Sequence, residues 1–143
     1  MAKNRYSYTD AENFSAQANS VRKTGMSATE HQEQVALLRW WRLFPGKEEA
    51  QLLAIPNGGK RTLAMAAWLK AEGMTKGVPD LFLAAGRRGC HGLWIEMKRA
   101  DGKPSDVRPE QKAMLQRLRE AGYGTAVCFG WKQAADAIEQ YLK

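Results

Sequence analysis

The chain has 143 residues, 44% hydrophobic and 26% charged, which suits one domain with a real core and excludes compositional disorder. Its 22 Lys and Arg against 15 Asp and Glu leave a formal charge of +7, a surplus that favours an anionic partner, nucleic acid being the usual one. No apolar run approaches the roughly 20 residues of a membrane span, and the N-terminus lacks the apolar stretch of a signal peptide, so the expectation is a soluble, cytoplasmic protein with no membrane partner.

Residues 1–26 are polar and poor in aliphatics, predicting a flexible N-terminal arm ahead of a single folded domain over 27–143. Ser27 precedes Glu30 by three residues, the spacing of a capping box, and Val35, Leu37, Leu38 and Trp41 follow at helical intervals. That helix is predicted to stop before Pro45. Residues 51–55 read as a strand, ended by the turn Pro56, Asn57, Gly58, Gly59. Residues 61–72 read as a second helix rich in Ala, Leu and Met, closed by Gly73. After Gly77, Val78, Pro79 and Asp80 comes a strand at 81–84, then a basic hairpin loop at 87–89 and a strand at 93–98. Pro109 starts a third helix, to about residue 121, where its missing amide proton costs nothing, although Arg108 is a poor residue for the cap. A short strand at 125–129 and a helix at 132–142 complete a helix-strand-helix-strand-strand-helix-strand-helix order, an α/β domain with a mixed sheet flanked by helices. Cys90 and Cys128 lie in or beside strands without metal-ligand spacing, so both are expected to be reduced thiols, Cys128 buried.

The strand at 93–98 carries the chemistry. Side chains alternate along a strand, so Leu93, Ile95 and Met97 share one face and Trp94, Glu96 and Lys98 the other. Asp80 immediately precedes the neighbouring strand, which brings two carboxylates and one ammonium to a sheet edge. Phosphodiester cleavage uses such a set. Carboxylates hold a hard divalent cation that keeps several waters, activates one of them and neutralises charge on the phosphate. A lysine beside it orients the water, stabilises the developing charge or assists as a base. The plainer alternative is that Glu96 and Lys98 form only an exposed ion pair, worth under about 1 kcal/mol.

Gly77-Val78-Pro79-Asp80 followed by Glu96-Met97-Lys98 resembles the proline-aspartate/glutamate-x-lysine nuclease superfamily, and more narrowly its virus-type replication-repair nuclease (VRR-NUC) domain. Glu30 with Gln34, the Pro56-Asn57-Gly58-Gly59 turn with Arg61, His91-Gly92-Leu93, Gln111 and Gly122-Tyr123 extend the resemblance over roughly residues 27–143. It implies a restriction-endonuclease-like core using Mg2+ or Mn2+. Asp80 and Glu96 would be metal ligands, joined by the backbone carbonyl of Met97, and Lys98 the catalytic lysine. Glu30 would approach the metal through water, and Gln111 would support Lys98 or the scissile phosphate. Gln34 and Tyr123 would contact phosphate or back the ligands. Asn57, Gly58, Lys60 and Arg61 are candidates for binding the DNA backbone. Structural alternatives stand beside these roles: Glu30 as the reciprocal half of the Ser27 capping box, Gln111 as a solvated first-turn residue, the glycine pair as a plain turn. His31 and His91 read as structural or surface residues, and Trp40, Trp41 and Trp68 as core or subunit interface.

The resemblance is to the stand-alone form of phages and bacteria, which implies a homodimer acting on branched DNA such as four-way (Holliday) junctions in a bacterial or phage-infected cell. Two other classes compete with the nuclease. A non-catalytic basic DNA-binding module would bind without metal dependence. A protein-interaction domain would use the apolar helix faces and leave the basic surplus unexplained.

Overall fold

A computed structural model gives the fold, described for residues 28–56 and 61–143. The predicted arm, Ser27, Asn57, Gly58, Gly59 and Lys60 lie outside the described residues. The elements are α1 (Glu30–Leu43), β1 (Gln51–Ala54), α2 (Leu63–Ala71), β2 (Leu81–Ala84), β3 (Leu93–Lys98), α3 (Pro109–Glu120), β4 (Gly124–Phe129) and α4 (Trp131–Leu142). Short 3-10 turns lie at Pro45–Glu48 and Pro104–Asp106. The predicted elements are present in the predicted order, with ends moved by a residue or two.

One boundary is corrected with consequence. The cap of α1 is Thr29, whose hydroxyl accepts from the Gln32 amide while Gln32 Oε1 accepts from the Thr29 amide. Thr29 and Gln32 hold the same three-residue spacing as Ser27 and Glu30, and the chain uses the later pair. Glu30 is therefore released from capping and is the first residue of α1.

The sheet order is β1-β2-β3-β4, with β1/β2 and β2/β3 antiparallel and β3/β4 parallel. Helix α3 is the crossover that a parallel neighbour requires. Leu81 pairs with Ile95 and Phe82 with Trp94, so the alternation of β3 is shared by β2. Leu81, Leu83, Leu93, Ile95 and Met97 form the core face against Leu37 of α1 and Ala134 and Ile138 of α4. Trp40, Trp41 and Phe44 pack at its margin, and His31 and His91 are exposed. Cys128 is buried and both cysteines are free.

Buried Glu33 ties two helices together. Its Oε2 accepts from the amide of Trp131, the first residue of α4, at 2.9 Å, where the cap residue Gly130 has no side chain to do so. A second junction sits at Gly77, whose φ of +83° suits glycine. A Cβ there would run into the carbonyl of Glu110, so the turn before Asp80 packs directly on the first turn of α3.

Helix α2 behaves differently. Thr62 caps it and Gly73 closes it with a φ of +97°, yet it has no buried residue. Leu63 is 92% and Trp68 59% exposed, so this helix contributes a surface rather than core.

Candidate active site

The other face of β3 presents Glu96 and Lys98, both buried at 2% and 5% exposure. Glu96 Oε1 accepts from Gln111 Nε2 at 2.6 Å and lies 3.2 Å from Lys98 Nζ. Gln111 is itself fixed, because its Oε1 accepts from the Arg108 amide at 2.9 Å. Arginine has no acceptor with which to cap α3, and Gln111 supplies the reciprocal half of the box instead. The predicted poor cap is therefore real, and its remedy orients the amide group that reaches Glu96. Gln111 is buried at 5% exposure, not a solvated first-turn residue.

Asp80 enters from the end of β2, and its Oδ2 accepts from the Met97 amide at 2.8 Å. This bond holds the carboxylate against β3 one residue from Glu96. Glu30, free of capping, reaches in from α1 with Oε1 3.7 Å from Lys98 Nζ. One ammonium thus pairs with two carboxylates and acts electrostatically on a third, Asp80.

The electrostatics follow. Burial pushes the Glu96 carboxyl up to about 7, with the Asp80 charge adding and Lys98 opposing. Burial also raises Asp80, opposed first by the Met97 amide bond, with Glu30 adding and Lys98 and Arg108 opposing. Glu96 Oε2 is one of two buried side-chain polar atoms without a hydrogen-bond partner among the described residues, the other being Trp94 Nε1. A buried carboxylate oxygen with no donor is costly unless protonated or met by a cation. Among the described residues no three His, Cys, Asp or Glu side chains gather as a metal-holding group. Asp80 and Glu96 are the carboxylates that could hold a cation here, and a pair of hard oxygen donors suits an ion that keeps several waters.

Glu30, Asp80, Glu96, Lys98 and Gln111 line one cleft of about 1260 Å3, together with Arg61, Lys70, Lys76 and Arg108. Arg61 also fastens the chain locally, donating to Pro56 O and Met74 Sδ. Lys70 and Lys76 are cleft residues that only the net charge hints at, and Arg108 is expected only as a poor cap, not as a cleft residue. Gln34 is half-buried on α1 and does not line this cleft. Neither does Tyr123, whose ring lies edge-on to Phe82, Trp94 and His91.

The model of the VRR-NUC domain family matches residues 17–131. The chain belongs to the VRR-NUC family. A solved VRR_NUC domain protein shares its fold with a TM-score of 0.68 at 26% identity, over 82% of this chain and 90% of that one. No curated protein matches the chain. The four-stranded mixed sheet flanked by helices is thus a restriction-endonuclease-like α/β core, and the VRR-NUC domain is of the nuclease type. No described helix is long and apolar enough to cross a membrane.

The VRR-NUC site carries a stability signature. A Glu96 carboxyl raised from 4.5 to about 7 binds more protons folded than unfolded across that window. Its contribution to stability is full below about pH 4.5 and is lost as pH rises through about 7. In chelator, the thermal midpoint should fall with pH across this window, and Glu96→Gln should make the fall shallower. An equal slope in both proteins would remove Glu96 as its source.

Proposed function

We propose that this VRR-NUC protein is a DNA endonuclease dependent on Mg2+ or Mn2+, acting as a homodimer on branched DNA such as four-way junctions. The observation that carries the reading is the buried Glu96 carboxylate with one bare oxygen, beside Asp80 and Lys98 in a cleft edged by cations.

Asp80, Glu96 and the Met97 carbonyl would hold the cation, with Glu30 approaching through water. A divalent ion in such a set lowers the pKa of a water and neutralises charge building on the phosphate. The chain's own groups do the rest. Lys98 Nζ, between Glu96 and Glu30, donates to the attacking water or to the phosphate oxygen as negative charge develops. Gln111 keeps Glu96 Oε1 turned toward Lys98, leaving Oε2 for the ion. Arg61, Lys70, Lys76 and Arg108 offset the charges of successive phosphates along the cleft. Asn57, Gly58 and Lys60 would add backbone and ammonium donors beside Arg61, and Gln34 and Tyr123 would act on more distant phosphates.

The homodimer draws support from α2. Leu63, Met65 and Trp68 on that helix and Leu53 on β1 are exposed apolar side chains that a second copy would cover. A two-fold pair of sites suits a symmetric junction with two strands to cut. Sedimentation should show a dimer that Leu63→Asp with Trp68→Glu converts to monomer; a wild-type monomer at micromolar concentration would refute it.

The enzymatic test is cleavage of labelled four-way junction and linear duplex with Mg2+, Mn2+ or chelator. Wild type should cut only with the cation and prefer the junction, and Lys98→Ala should lower the rate by about 100-fold or more. Wild type that cuts neither DNA, with binding indifferent to the cation, would identify a binding module instead.

A further inference from the structure

Helices α1 and α2 each begin on a hydroxyl. Thr29 and Thr62 accept an amide of the first turn and so cap them. Helix α3 begins instead on Arg108, which has no acceptor to offer and makes no side-chain cap bond. A serine at this position would complete the reciprocal box, since Gln111 Oε1 already accepts from the residue 108 amide at 2.9 Å. Helix stability therefore argues against arginine here.

What arginine offers instead is reach and charge. Pro109 keeps the residue before it out of the helical region, and Arg108 is extended, with φ −68° and ψ 154°. From that backbone its side chain lines the cleft that holds Asp80, Glu96 and Lys98. Its charge acts on Asp80, where it favours the carboxylate. Its local partner is Glu110, with Arg108 Nε 3.6 Å from Oε1 and the two side chains 67% and 42% exposed. An ion pair so long and so open to solvent holds the guanidinium weakly. The Arg108 amide, by contrast, is tied through Gln111 to Glu96. The backbone of Arg108 is thus fixed to the carboxylate site while its guanidinium is left available beside it.

We propose that Arg108 is a phosphate clamp, whose guanidinium takes one backbone phosphate of bound DNA beside Asp80 and Glu96. A planar guanidinium meets two phosphate oxygens at once, which the ammonium of Lys70 or Lys76 does not. The contact sets where the strand lies across the carboxylates, and it stands where a helix cap would otherwise be. This assignment rests on DNA being the substrate, and it gives one cation of the cleft a single phosphate as partner.

Arg108→Ser is the informative variant, because it leaves Gln111 on Glu96 and restores a cap. Its thermal midpoint should rise by about 2–4 °C. Binding of labelled four-way junction and linear duplex is measured in chelator, so that neither is cut. The dissociation constant of Arg108→Ser should rise about tenfold or more at low salt. The slope of log affinity against log salt should become shallower by about one. Arg108→Lys keeps the charge without the fork, so it should keep the slope and recover only part of the affinity. Replacing single phosphates by neutral methylphosphonates should find one position that weakens wild type but not Arg108→Ser.

Unchanged affinity and slope in Arg108→Ser overturn the proposal. So does a lowered thermal midpoint, since the arginine would then be serving the fold. A methylphosphonate effect spread evenly over all positions overturns the single contact and leaves Arg108 as part of a general positive field. A wild type that binds neither DNA overturns the DNA-cleaving reading itself.

Discussion

Glu96 shares one carboxylate oxygen between an amide and an ammonium and leaves the other bare in a buried setting. Most of what surrounds the site can be understood as keeping that arrangement. Gln111 cannot rotate without breaking its bond to the Arg108 amide, so the Nε2 donor stays on Oε1. Lys98 is shared between Glu96 and Glu30, and Asp80 adds a further negative charge nearby. Burial, with the neighbouring carboxylates adding to it, makes Asp80 and Glu96 bind protons more readily than usual. A cation would offset the same charges, which is why carboxylates with raised pKa values belong naturally to a metal-using site.

The fold supplies this geometry through three joints rather than through the core alone. The parallel crossover of α3 brings Gln111 over β3. Gly77 lets the turn before Asp80 lie directly on the first turn of α3, so Asp80 and Gln111 are placed by one junction. Glu33 fixes the start of α4 to α1, the helix that delivers Glu30. The rigid layer beneath consists of β2 and β3 on Leu37 and Ile138, which gives the site a well-packed base.

Much of this is legible in the sequence. Strand alternation alone places Glu96 and Lys98 together, and the β2 and β3 boundaries can be read because their apolar runs are short and bounded by Gly and Pro. Pro109 locates helix α3 but not the burial of Gln111, since one polar residue in a first turn looks the same whether it meets water or a carboxylate. The cap of α1 differs from its predicted place because two overlapping Ser/Thr-x-x-Glu/Gln patterns compete and nothing local chooses between them. Glu33 escapes notice for a related reason: its partner is 98 residues away. Lys70 and Lys76 are visible only as net charge and Arg108 only as a poor cap, because which cations face a common cleft is a tertiary property. Tyr123 and Gln34 resemble family positions, yet the chain carries them outside the cleft.

The central claim is that the bare oxygen of Glu96, with Asp80, holds a divalent cation. Anomalous diffraction from crystals soaked in Mn2+ tests it most directly, because the signal locates the ion without reference to activity. The account predicts one strong peak about 2.0–2.2 Å from Glu96 Oε2 and an Asp80 oxygen, with ordered waters completing the shell. A peak elsewhere in the molecule, or none at saturating Mn2+ near pH 8 where Glu96 is ionised, would contradict it.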